Sequence, residues 1–107
     1  MFLVRRICKT ERSNVWKVAG LLKKICDAYE ENGRKPATVY IGGFGTPASE
    51  ITVCAEWEQD TIEANRVPNV PSTIARFSGE MQPLLSSYAI EFYEVATEEK
   101  LTERGVY

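Results

Sequence analysis

The sequence predicts one α+β domain, a four-stranded antiparallel sheet built in the order strand, helix, strand, strand, helix, strand, with both helices on the same face. Three observations carry that expectation. The stretch 38–58 reads TVYIGGFGTPASEITVCAEWE, two β-rich runs around a glycine-rich connection, which is a β-hairpin with a long loop. Apolar stripes at three- and four-residue spacing lie on either side of it. A further β-like run stands near each end of the chain, Phe2 to Thr10 and Tyr88 to Val95.

The first run carries apolar groups on both faces, Phe2, Val4 and Cys8 on one and Leu3 and Ile7 on the other, so both faces are expected to be covered. Ser13 or Asn14 can cap a helix whose stripe is Val15, Val18, Ala19, Leu22, Ile25, Cys26 and Tyr29. Asn32-Gly33 ends it and Pro36 prevents its resumption. In the hairpin, Thr38 to Ile41 pairs with Ile51 to Glu58. In the second run Ile51, Val53, Ala55 and Trp57 alternate with Thr52, Cys54, Glu56 and Glu58, which separates an apolar from a polar face.

Asp60 with Glu63 makes a capping-box pattern for a short helical turn, Asp60 to Arg66, ended by Pro68 and Pro71. A second helix is expected from about Pro71-Ser72, burying Ile74, Phe77, Met81 and the stretch toward Leu84 and Leu85, with Pro83 stopping or kinking it. The last strand, Tyr88 to Val95, sets Ile90 and Phe92 against Ala89, Glu91, Tyr93 and Val95. The domain is expected to span 1–96, with 97–107 a charged tail that is either a short helix or a mobile arm.

A chain of 107 residues holds one core, enough to bury roughly 65% of the surface that its unfolded form exposes. With 44% hydrophobic and 26% charged residues it is an ordinary globular composition. A net charge of −2 and a pI near 5.2 argue against nucleic acid and membrane as partners. Cys8, Cys26 and Cys54 are odd in number, widely spaced and set in apolar patterns, which reads as buried reduced thiols. The opening Met1-Phe2-Leu3-Val4-Arg5-Arg6 is the reverse of a secretory signal, so a cytoplasmic location is expected.

The absence of histidine removes the Ser-His-Asp and Cys-His arrangements and the imidazole metal ligands. No metal or cofactor is expected. Gly43-Phe44-Gly45-Thr46-Pro47-Ala48 formally matches G-x-G-x-x-A, but Pro47 and a following strand deny the helix that a dinucleotide fingerprint needs. The candidate ligand-binding residues are Arg6, Tyr40, Glu56 and Tyr93. Glu56 on a central strand needs a partner, and Arg5 or Arg6 on the first strand supplies it. Tyr40 and Tyr93 offer an aromatic wall with hydroxyls that suits a planar ligand.

The hairpin with VYIGGFG and VCAEWE and the closing EMQPLLSSYAIEFYEV resemble the dimeric α+β-barrel proteins of ferredoxin-like type. Within them the chain is most similar to NIPSNAP-like domains and more distantly to antibiotic-biosynthesis monooxygenases. The resemblance covers about Met1 to Val95 and implies a homodimer with a cavity between sheet and helices. It agrees with the residues, since an uncovered sheet face bearing Tyr40, Cys54 and Tyr93 favours a second copy packed upon it. Members that degrade haem rely on a histidine absent here. The functional expectation is a homodimeric module binding a small apolar or aromatic molecule. The alternative is a cofactor-free oxygenase acting on an aromatic or quinone-like substrate.

Overall fold

A computed structural model describes residues 1–65 and 70–107. Strands β1 (Phe2–Thr10), β2 (Thr38–Gly42), β3 (Thr52–Gln59) and β4 (Leu85–Glu94) form one antiparallel sheet in the spatial order β2-β3-β1-β4. Helices α1 (Val15–Glu31) and α2 (Ser72–Met81) pack on each other, with α1 lying over β2 and β3. The ferredoxin-like α+β fold expected from the order of elements is the fold observed.

The core lies between helices and sheet. Val15, Val18, Leu22, Ile25 and Cys26 of α1 and Ile74 and Met81 of α2 are buried against Val4 and Cys8 of β1 and Val53, Ala55 and Trp57 of β3. The period-2 alternation that sorts these residues also decides everything on the far side of the sheet. Leu3, Arg5, Ile7 and Lys9 stand there beside Glu58, Glu56, Cys54 and Thr52 of β3.

Local chemistry explains the boundaries. A 3-10 turn over Arg12–Asn14 leads into α1, and Asn14 holds the capping position without a side-chain hydrogen bond. At the other end Gly33, with φ of 103°, donates its N–H to the Glu30 carbonyl at 3.1 Å, and Arg34 donates to the Tyr29 carbonyl at 3.1 Å. These are the paired bonds of a Schellman cap, and they fold the chain back over the last turn of the helix. In the hairpin loop no helix follows Gly43-Phe44-Gly45; β3 begins at Thr52.

Three expectations are adjusted. Pro71 stands one position before α2, at its cap, rather than inside its first turn. The turn expected over Asp60 to Arg66 is a 3-10 helix at Ile62–Asn65, and its remainder with Pro68 lies outside the described residues. The last strand starts at Leu85, because Pro83 sits in a 3-10 turn at Gln82–Leu84 that ends the helix early, and the Thr10 hydroxyl donates to the Leu84 carbonyl at 2.7 Å. Leu84 and Leu85 still pack on the core, but as turn and strand residues. The tail forms a short helix, α3 (Glu98–Glu103), with the Thr97 hydroxyl accepting the Lys100 N–H at 3.2 Å.

The helices leave part of their own side of the sheet uncovered. Tyr88, Ile90 and Phe92 of β4 point to the helix side, opposite Cys8, Arg6 and Val4, yet remain 37–39% exposed. β4 is an edge strand with apolar groups showing on both faces.

Gly43 and Gly45 both have positive φ, but a side chain at Gly43 would place its Cβ 2.3 Å from the Glu50 carbonyl oxygen, whereas Gly45 faces open space. Gly45→Ala should lower stability by about 1 kcal/mol through backbone strain alone. Gly43→Ala should lower it clearly further, read as the urea midpoint; equal losses would mean that the loop relaxes around the new methyl.

Candidate functional site

On the face away from the helices, the register places Arg5 between Glu56 of β3 and Glu91 of β4. Its Nε donates to Glu56 Oε1 at 2.6 Å, and the Tyr40 hydroxyl donates to the same oxygen. The Tyr93 hydroxyl donates to Glu91, and the Arg5 guanidinium lies 5.2 Å from the centre of the Tyr93 ring. The hydrogen bond from Tyr40, aided by Arg5, holds the Glu56 carboxyl below the usual carboxylate range against its partial burial. Burial and the bond to Glu56 push the Tyr40 hydroxyl up. Arg5 thus links two acid–tyrosine pairs across all four strands. Both carboxylates are engaged, and among the described residues no cluster of three or more acids or cysteines could hold a metal. Cys54 lies on this face but is only 6% exposed, while Tyr40 and Tyr93 stay open.

The helix side holds a different constellation. Arg6 points between α1 and the sheet, its guanidinium carbon 5.7 Å from the Tyr29 ring centre, 5.9 Å from Trp57 and 5.8 Å from Tyr88. Arg34, turned inward by the cap at Gly33, lies 3.8 Å from Tyr29 and 4.6 Å from Trp57. Trp57 is held by its indole N–H, which donates to buried Gln59 at 2.8 Å, and Gln59 is itself tied to the Thr61 and Ile62 carbonyls. Two cations therefore share two aromatic rings, a favourable stacking for each guanidinium.

The electrostatics of this cluster are those of crowded positive charge. Burial first, and then the neighbouring Arg6, lower the Arg34 pKa. Burial raises the Tyr88 hydroxyl, with Arg6 opposing. The Arg6 Nε is buried and has no hydrogen-bond acceptor among the described residues. Cys8 is pushed up to about 11 by burial even beside Arg6, and Cys26 is likewise raised, so both are packing thiols rather than nucleophiles. The three cysteines are free and buried, as their apolar settings imply.

A groove of about 360 Å³ lies between α1 and edge strand β2, lined by Trp16, Ala19, Val39, Ile41 and Phe44. Another of about 320 Å³ opens beside Leu3, Lys35, Pro36, Glu56 and Glu58. Both fall in the size range of small-ligand sites.

Of the four candidates from the sequence, Tyr40 and Glu56 are in contact, and Tyr93 shares their face on β4, linked through Arg5. Arg6 is not with them. Adjacent residues of a strand face opposite ways, so Arg5 takes the place beside Glu56 and Arg6 goes to the aromatic cluster. Arg34, Tyr29 and Tyr88 were not legible as site residues. Arg34 sits in a loop without periodicity, although the Asn32-Gly33 stop signal does dictate that the next residue turns back on the helix.

No protein-family model matches the chain, and no curated protein matches it. Solved structures share its fold. One described as an antibiotic biosynthesis monooxygenase superposes with a TM-score of 0.68 at 8% identity, over 91% of this chain and all of that one. A conserved protein of Bacteroides thetaiotaomicron, described as of unknown function and a possible oxidoreductase, gives 0.59 at 16% identity over 88% and 96%. A Deinococcus radiodurans protein described as a candidate antibiotic biosynthesis monooxygenase gives 0.58 at 13% identity over 91% and 94%. At these identities the likeness is one of fold.

The lowered Glu56 pKa sets a sign. A group whose folded pKa is depressed stabilises the fold above its ordinary pKa and loses that contribution as pH falls through the depressed value. The stability difference between the parent chain and Glu56→Gln should therefore be largest above about pH 5 and shrink toward pH 3, measured by urea unfolding. A difference independent of pH would mean that the Arg5 and Tyr40 contacts do not favour the ionised form.

Proposed function

We propose that the chain is a homodimeric α+β-barrel module that binds a small aromatic molecule between its sheet and helices. The observation that carries this reading is the uncovered helix side of β4. Tyr88, Ile90 and Phe92 are partly open to solvent beside the Arg6, Tyr29 and Trp57 cluster, an apolar and aromatic surface with a positively charged end. Small-ligand sites have this composition, mostly apolar walls with few placed polar groups. The NIPSNAP-like affinity suggested by the hairpin and closing strand belongs to the same proposal, as does a cytoplasmic setting. Among the described residues no helix is long and apolar enough to cross a membrane.

The second copy is supported by the opposite face, where Leu3, Ile7, Tyr40 and Tyr93 surround the Arg5 network. A face with this much apolar and aromatic area gains from burial against an identical one. The expected species in multi-angle light scattering has twice the 12.1 kDa chain mass. Ile7→Glu, with unchanged far-UV circular dichroism, should shift it to monomer; a monomeric parent chain at micromolar concentration would overturn the dimer.

A second reading is favoured by the fold shared with monooxygenase-described structures: a cofactor-free oxygenase in which arginine stabilises an aromatic substrate anion that reacts with oxygen. Trp57 reports on binding. The chain has two tryptophans, and Trp16→Phe leaves Trp57 of the cluster as the remaining emitter. Hydroxyquinones should quench its emission saturably. Oxygen uptake with the same panel that drops in Arg6→Gln selects the oxygenase; saturable quenching without uptake selects the binder, and no quenching removes both.

A further inference from the structure

We propose that the open edge of β2, with the groove beside it, takes an extended segment of a partner protein. The segment adds antiparallel to Thr38–Gly42, with apolar side chains in the groove and an acidic residue beside Arg12. This site is separate from the ligand reading above and does not depend on it.

β2 is hydrogen-bonded to β3 alone, so along its other edge the main-chain groups meet no strand among the described residues. Such an edge is a template for an incoming strand, and proteins that avoid the pairing place charges, prolines or bulges there. The opposite edge of the sheet is guarded in this way. β4 carries Glu91 and Glu94, and its register with β1 shifts between Lys9 and Thr10. β2 reads TVYIG, without a charge or a proline, and its register with β3 is unbroken.

A strand laid along that edge sends alternate side chains to the helix side. There Val39 and Ile41 are only partly buried and Trp16 of α1 is 69% exposed. With Ala19 and Phe44 they line the groove of about 360 Å³. A large exposed aromatic on an apolar groove marks an interaction surface. A free small molecule fills the groove and leaves the edge of β2 unmet, whereas a strand meets both, main chain to edge and side chains to groove.

Charge fixes the direction. The Arg12 guanidinium lies 5.1 Å from the centre of the Phe44 ring and meets no carboxylate among the described residues. Phe44 stands just beyond Gly42, the last residue of β2, so this is the end at which an antiparallel segment begins. Antiparallel pairing is also the more stable kind per residue. An acid near the segment's N-terminus therefore meets Arg12, a rim pair that sets orientation more than affinity. The β2 strand of a second copy carries no acid, which favours a partner of different sequence.

The test uses the blocked peptide acetyl-EVTVTV-amide, its two forms N-methylated at alternate residues, and acetyl-KVTVTV-amide. Each is titrated against the whole chain by tryptophan emission and by calorimetry, with Trp16→Phe identifying the Trp16 signal. That signal should move to shorter wavelength on binding. One N-methylated form, which loses the donors facing β2, should bind at least about tenfold more weakly, and the other should stay within a few-fold. The lysine peptide should bind about threefold more weakly than the glutamate peptide, and Arg12→Glu should reverse their order. Trp16→Ala, with unchanged far-UV circular dichroism, should weaken both by about tenfold. Equal loss in the two N-methylated forms, or none in either, would overturn strand addition, the latter in favour of an apolar molecule in the groove. A peptide-free oligomer larger than the dimer that Trp16→Ala dissociates would overturn it in favour of a second copy. No heat and no Trp16 response at millimolar peptide would remove the site, while leaving any ligand signal from Trp57 untouched.

Discussion

Two adjacent arginines in the middle strand of a sheet cannot share a face. That constraint governs the chemistry of both sides of this molecule. β1 is hydrogen-bonded on both edges, so its register is fixed twice, by β3 and by β4, and a slip would bury Arg5 and Lys9 in the core. With the register held, Arg5 meets Glu56 and Glu91 on one side, and Arg6 enters the layer between helices and sheet on the other. A charged side chain in that layer needs an environment. Tyr29, Trp57 and Tyr88 supply it, each ring face carrying the partial negative charge that a guanidinium seeks.

The two faces differ in how completely their polar groups are satisfied. Opposite the helices, the Arg5 Nε, the Tyr40 hydroxyl and a Glu56 oxygen form a closed set, with Tyr93 and Glu91 forming a second. Such a set gives a sheet surface direction and register, which suits an interface. On the helix side the buried Arg6 Nε meets no acceptor among the described residues, and the rings of Tyr29 and Trp57 are shared between two guanidiniums. That difference is why the proposed ligand is placed on this side of the sheet and the proposed second copy on the other.

Much of the fold was legible because it rests on period and punctuation. The α1 stripe, the alternation in β3 and the glycine stop at Gly33 are local patterns with a mechanical cause, and each element appears where its pattern lies. The limits appear where one residue serves two patterns. Leu84 and Leu85 continue the apolar spacing of α2 and equally begin a strand; Pro83 decides for the strand, and the hydrogen bond from Thr10, distant in sequence, completes it. The site was half legible for the same reason. Tyr40 and Glu56 follow from alternation alone, but choosing between Arg5 and Arg6 requires knowing which face the helices cover. Arg34 requires the three-dimensional path of a loop. Its placement depends on two backbone hydrogen bonds that periodicity does not encode.

The lack of histidine then limits what the helix-side cluster does with anything it holds. Arginine does not exchange its proton near neutrality, and Tyr88, raised by burial, keeps its own. Cys8 and Cys26 are held as thiols by the same desolvation. With the protons of Tyr88, Cys8 and Cys26 held by burial, general-base catalysis is not what these groups contribute. What remains is fixed positive charge in a partly dry, aromatic setting, which lowers the free energy of a bound anion without proton transfer to the protein. A substrate activated here must therefore bring its own acidity, ionising because its anion is stabilised. A ligand merely stored here needs only to arrive charged. The acidity of the molecule that binds, rather than any residue of the chain, is what divides a binding protein from an enzyme on this scaffold.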